Sequence, residues 1–156
     1  MINACTLVRT YGPLVARILL AQLFIVSGIG KAMLFAKTAA YMSSMGLPAS
    51  QILLVLTVLL EVGGGVLLLA GWRARWIATA FFCFTLVTTI VFHAFWSADA
   101  ASFPGQLNNF MKNFAIMGGM LYVIAYGAGP LRVGRDECRT ETNVETRPAT
   151  RKPKSM

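Results

Sequence analysis

Glu61 is the one charged residue in a long apolar stretch, Gln51 to Ala70, and stands about ten residues from either end of it. If that stretch is a helix, a rise of about 1.5 Å per residue puts the carboxylate about 15 Å deep, near the middle of a bilayer. A carboxylate there costs a few kcal/mol, so it must turn away from lipid and meet polar groups on neighbouring helices. The chemistry open to it is that of a proton carrier or a counter-ion. Its candidate companions are Lys31, His93, Lys112 and Asn113, with Ser27 one turn below Lys31 on the same face. Helical rise sets Lys31, His93 and Lys112 in one layer, about 10 Å outward of Glu61. A lysine stem and a water would bridge that gap. These six residues describe a polar pocket opening outward, floored by Glu61.

Each has a plainer reading. Lys31 and Lys112 can snorkel to headgroups. His93 can be an interfacial residue beside Trp96, and Glu61 can be structural glue between helices. One histidine makes a poor ligand set, so no metal is expected. Cys5, Cys83 and Cys138 form no CxxC pair, so neither a zinc site nor a disulfide framework is implied, and Cys83 reads as inert packing.

The elements that must hold these residues are four apolar stretches, each long enough to cross a hydrocarbon core of about 30 Å. They run over 13–34, 51–70, 76–96 and 110–128. Helices are required because lipid satisfies no backbone group. The expected fold is therefore all-α, a polytopic transmembrane four-helix bundle over 13–129. Gly28, Gly30, Gly63, Gly64, Gly65, Gly118 and Gly119 are expected at helix contacts, where small residues admit a close neighbour. A short interfacial helix is expected over Ala36 to Met45. Pro48 suits the first turn of the second span, because its missing N–H would be unsatisfied there anyway.

Arg73 and Arg75 in the hairpin between the second and third spans mark that side as cytoplasmic. Threading from there leaves both termini inside, in agreement with Arg9 ahead of the first span, Arg17 near its start, and Arg132, Arg135 and Arg139 after the last. Residues 1–12 are then a cytoplasmic N-terminus, and 130–156 a basic cytoplasmic tail that is expected to be disordered from Gly134 onward. A cleaved signal peptide is the competing reading of the first stretch, but no clear small-residue cleavage site follows it.

Composition agrees with a membrane protein. Hydrophobic residues are 56% and charged residues 13%, against about 45–50% and about 25% in soluble domains. Of six acidic residues, Asp136, Glu137, Glu141 and Glu145 lie near the end. Glu61 and Asp99 are left for the first 130 positions, too few to solvate a water-facing surface. The net charge of +8 comes without a groove-reading motif, which argues against nucleic acid as a partner.

The chain resembles the DoxX family of small bacterial membrane proteins. The resemblance is carried by Arg17, Ser27-Gly28-Ile29-Gly30-Lys31, Gly46-Leu47-Pro48 and Glu61-Val62-Gly63-Gly64-Gly65. It continues through Gly71, Arg75, His93 and Lys112-Asn113 to Gly118-Gly119. It covers about residues 14 to 128 and implies a four-helix protein of the bacterial inner membrane. The family looks related to the small subunit of thiosulfate:quinone oxidoreductase and to a methylamine-utilisation membrane protein, and some members are linked with quinone or thiol-redox partners.

The expected function is a redox-linked accessory or quinone-interacting subunit, rather than a stand-alone enzyme. Its partners would be the bilayer, a membrane-associated oxidoreductase subunit and further copies of itself. The residues fix no cofactor; a quinone would suit this reading, with His93 or a lysine on a ring oxygen and Glu61 serving proton movement. Two alternatives stay open: a non-catalytic anchor or assembly protein, and a small-solute transporter or channel. The last fits less well, since four unbroken spans without inverted repeats make a poor transporter.

Overall fold

A computed structural model describes residues 3–134. Helices and short connections account for them, with no strand among the described residues. Helix α1 runs Ala4–Met33 and takes Pro13 into its interior. It thus begins nine residues before the expected first span, and most of the supposed N-terminal extension is helical. Helix α2, Phe35–Ser44, matches the short helix expected over Ala36 to Met45. It buries Ala39 and Met42 against Leu54, and the Tyr41 ring stacks on Phe92 at 5.8 Å between centroids.

The next stretch is continuous from Ser50 to Ala70 but not uniform. Helix α3 (Ser50–Val58) gives way to a six-residue π-helical segment, Leu59–Gly64, and then to α4 (Gly65–Ala70). Glu61 lies inside the π segment. Pro48 is not in the first turn of α3. It sits in the preceding turn, and Ala49 beside it takes up a left-handed conformation at φ 50°.

Gly71, at φ +75°, ends α4 in the left-handed region that favours glycine. The N–H groups of Gly71 and Trp72 return to the carbonyls of Leu68 and Leu67, each at 3.0 Å. Helix α5 follows over Ala74–Phe92, then a single 3₁₀ turn, Phe95–Ser97, and α6 over Phe103–Tyr126. Helix α6 starts seven residues before the expected fourth span. Ahead of it the Asp99 carboxylate accepts the backbone N–H of Ser102 at 2.8 Å and the Ser102 hydroxyl at 2.9 Å. Those two bonds, the backbone one foremost, hold Asp99 below the usual carboxylate range.

Helix α5 packs along α6, and α1 packs along the π segment and α4. The core between them centres on Phe24 and Phe81, whose rings stack at 3.9 Å, with Ala21, Leu68, Ala78 and Met120 around them. Among the described residues, three stretches are long and apolar enough to cross a membrane: Ala4–Met33, Ser50–Ala70 and Ala74–Ser97. Helix α6 has the length, 24 residues, but Gln106, Asn108, Asn109, Lys112 and Asn113 in its first half keep it out of that set.

Arg17, read from the sequence as an orientation signal, does not stand at the surface. It is 1% exposed, and its guanidinium donates to the carbonyls of Leu69 (2.9 Å), Leu68 (3.3 Å) and Leu131. The end of α4 and the chain after α6 are thereby tied to α1. The Val133 N–H adds a bond to the Ala70 carbonyl at 2.9 Å. Arg75 similarly donates to the carbonyls of Ile124 (2.5 Å) and Ala125 (2.8 Å) at the end of α6. Residues 130–134 therefore lie against the helices, while the rest of the expected tail, 135–156, lies outside the described residues.

A candidate ligand cavity around Glu61 and Lys31

A cavity of about 310 Å³ opens between the helices, and α1, α2, α3, the π segment, α5 and α6 each contribute to its wall. Its size is at the lower end of the range for small-molecule pockets, and its wall is mostly apolar. Phe24, Phe84, Phe92 and Tyr41 supply aromatic surface, and Ser27, Lys31, Glu61, His93 and Asn113 supply polar groups.

Glu61 is 3% exposed. The Lys31 ammonium donates to both of its carboxylate oxygens, at 2.7 and 2.8 Å, and to the Ser27 hydroxyl oxygen at 2.5 Å. Ser27 in turn donates to Glu61 Oε1 at 3.4 Å. The lysine thus spans the expected gap directly, with no water between. Its stem runs back along α1 to do so, since residues at i and i+4 lie on one helix face.

Gly28 allows this approach. A Cβ there would come within 2.8 Å of Val62 Cγ2 and 2.9 Å of Glu61 Cβ. Any side chain at 28 would push α1 away from the π segment and pull Lys31 off the carboxylate. Gly64, Gly65 and Gly119 also sit where a side chain would crowd Phe81, Ile25 and Leu20 respectively. Gly30, Gly63 and Gly118 do not, because space lies open beside all three. The expectation that these three are helix contacts is corrected accordingly.

The π segment has a local cause. Three successive glycines, 63 to 65, present no side chains to be packed in α-helical register. A turn bonded i→i+5 is then tolerated, and such turns recur where a side chain must be re-aimed. Glu61, Gly64 and Gly65 are all buried against neighbouring helices.

The remaining expected site residues divide. His93 ends α5 and lines the cavity, with Nδ1 3.0 Å from Gln106 Oε1. The Asn113 amide donates to Thr89 Oγ1 at 2.9 Å and also lines the cavity. Lys112 does not join them. It is exposed and bonds Asn109 Oδ1 at 3.0 Å on its own helix. Cys83, expected inside the packing, is exposed on the outer face of α5.

Thr57, which its place four residues before Glu61 sets on the same face, also lines the cavity, as do Thr85 and Thr88, which the residue reading missed. The signal was present as threonines at 85, 88 and 89, a helical repeat of small polar residues within an apolar span. Threonine is common enough in such helices that the repeat alone does not announce a pocket.

Comparison with known proteins places the chain. The family model described as DoxX matches residues 12–94, which takes in Ser27, Lys31, Glu61 and His93. The chain belongs to the DoxX family. Within it, the chain is 40% identical over 124 residues to the inner membrane protein YqjF of Escherichia coli K12, covering 80% of this chain and 90% of that protein. It is 32% identical over 122 residues to the inner membrane protein YphA of the same organism, covering 78% and 87%. No solved structure matches it. The chain is thus an integral membrane protein of the DoxX family, and the Lys31–Glu61 pair lies within the region that the family model matches.

Proposed function

We propose that this DoxX protein resides in the inner membrane as a four-helix unit, with α6 as the fourth crossing and both termini cytoplasmic. It binds a quinone-type ring in the cavity between its helices and serves as an accessory subunit to a membrane oxidoreductase. The observation that carries the reading is the Lys31–Glu61 ion pair, 2.7 Å long, in the wall of a largely apolar cavity. An apolar slot with a few placed polar groups suits a flat neutral ring bearing oxygens. A lysine–carboxylate pair beside it is a means of moving a proton, the need that arises when a partner delivers electrons to a quinone.

The donor set fits such a ring. Aromatic faces of Phe24, Phe84 and Phe92 offer stacking surface, and Lys31, His93 and Asn113 are polar groups in the same wall. When bound, a quinone would supply two-electron redox chemistry. The chain's own residues would seat the ring, keep bulk water from it and hold a proton at Glu61 or Lys31.

Solvent extraction of the purified protein, followed by chromatography for quinone, tests the reading together with quenching of intrinsic fluorescence by added short-chain ubiquinone. Saturable quenching at micromolar quinone is expected. It should be lost in the charge-neutral double variant Lys31→Gln/Glu61→Gln. Folded wild-type protein that neither carries quinone nor quenches saturably removes the proposal.

A further inference from the structure

We propose that the cavity opens sideways into lipid between α1 and α6, at Leu23 and Ala115, and that this seam holds the apolar tail of the ligand. The inference rests on the quinone reading above and narrows it to a membrane-borne quinone with a tail, as opposed to a small soluble ring.

The seam is closed at two levels and open at the next. Pro13 lies against Gly129, just past the end of α6. Leu20 of α1 then meets Gly119 of α6 so closely that a Cβ on Gly119 would come within 3.2 Å of Leu20 Cδ2. These two contacts show the helices running in opposite directions. The following level is therefore Leu23 on α1 and Ala115 on α6, three residues after Leu20 and four before Gly119, and so on the same faces. Leu23 is 41% exposed, and Ala115, with a methyl as its whole side chain, is exposed as well. Leu23 also lines the cavity, as does Ile116 next to Ala115. Cavity and bilayer meet there.

The other side of the cavity is roofed. Helix α2 covers it, with Met42 packed against Leu54 and the Tyr41 ring on Phe92. Leu23 and Tyr41 are the exposed members of the cavity wall, and they mark two different rims. Around Tyr41 stand Thr38 and His93, which are polar. Around Leu23 stand Leu19 and Val26, both apolar and exposed. A hydrocarbon chain leaving past Leu23 stays among lipid tails, whereas past Tyr41 it would meet polar groups. A cavity of about 310 Å³ has room for a substituted ring and not for an isoprenoid chain as well. The tail must leave, and the apolar rim is its exit.

The experiment is an equilibrium titration of detergent-solubilised full-length protein with two probes, ubiquinone bearing an isoprenoid tail and the same ring without one. The proteins are wild type, Ala115→Phe, Leu23→Phe and, as a bulky change on another lipid-facing surface, Val87→Phe. A phenyl ring in the seam should weaken binding of the tailed quinone about tenfold, from either helix, and leave the tailless ring within about threefold of wild type. Val87→Phe should change neither. Undiminished binding of the tailed quinone by both seam variants would overturn the inference and leave the quinone reading standing. Equal loss of both probes would also overturn it, because the change would then be acting on the cavity and not on the exit. Wild-type protein that binds neither probe would overturn the quinone reading itself, and this inference with it.

Discussion

Lysine reaches where few side chains can. Its four-carbon stem lets Lys31, two residues from the end of α1, set its ammonium on a carboxylate rooted in the middle of another helix. The two charges compensate each other, and Ser27 takes a further ammonium proton. Removing Lys31 costs about 3–5 kcal/mol, because the Glu61 charge is left buried and uncompensated, whereas removing Glu61 costs less, because the Lys31 side chain is 30% exposed. Removing both costs far less. The single variants Lys31→Met and Glu61→Gln should therefore each lower the melting temperature, and the double variant should recover part of the loss. A double-mutant cycle should show coupling of about 1–3 kcal/mol. Additive single effects would mean that the two side chains do not meet.

The inward turn of Glu61 was legible from its residue type and position, since hydrocarbon leaves a carboxylate no alternative. The partner was less so. Lys31 and Lys112 are both lysines near a helix end at similar expected depth, and rise alone cannot separate them. Azimuth does. Successive helical residues are about 100° apart, so Lys112 and Asn113 cannot both face inward, and the structure turns Asn113 to the cavity.

Among the elements, α1 and the Ser50–Ala70 stretch define the site, and the π segment within the latter carries Glu61. The helices themselves were legible from apolar run length, with boundaries off by up to nine residues where α1 continues beyond the apolar run. The π segment was not, because a glycine run signals close packing and says nothing of hydrogen-bond register.

The burial of Arg17 escaped the sequence for a different reason. An arginine near the start of a long apolar run looks the same whether it marks the cytoplasmic side or caps another helix. Only the placement of the α4 carboxyl end reveals the carbonyls of Leu68 and Leu69 waiting for it. The guanidinium serves several carbonyls through a rigid fork that an ammonium cannot match. Thermal unfolding in detergent should show Arg17→Lys destabilised by about 2–3 kcal/mol, as expected for losing one or two bonds from a charged donor. An unchanged melting temperature would mean that the tie between α1, α4 and Leu131 does not matter to stability.

For the molecule as a whole, the composition announced a membrane protein, and the family match and the inner-membrane relatives agree with it. Among the described residues three stretches are long and apolar enough to cross, where the sequence reading counted four. The polar first half of α6 that lends Asn113 to the cavity is the same feature that makes it less apolar than the other three. The cavity was also beyond the sequence, because its wall draws on five helices and the π segment, from Leu23 to Ile116. No local pattern encodes a space shared by so many elements. Residue types identified several of its polar groups, and only packing could show that they face a common volume.

The most direct test is photolabelling of the purified protein with an azido-substituted quinone, followed by peptide mapping. The account predicts labels on α1 between Leu23 and Lys31 or on α5 between Phe84 and His93, suppressed by excess unlabelled quinone. Labels confined to outward-facing positions such as Leu59 and Val87, or labels that competitor does not reduce, would contradict it.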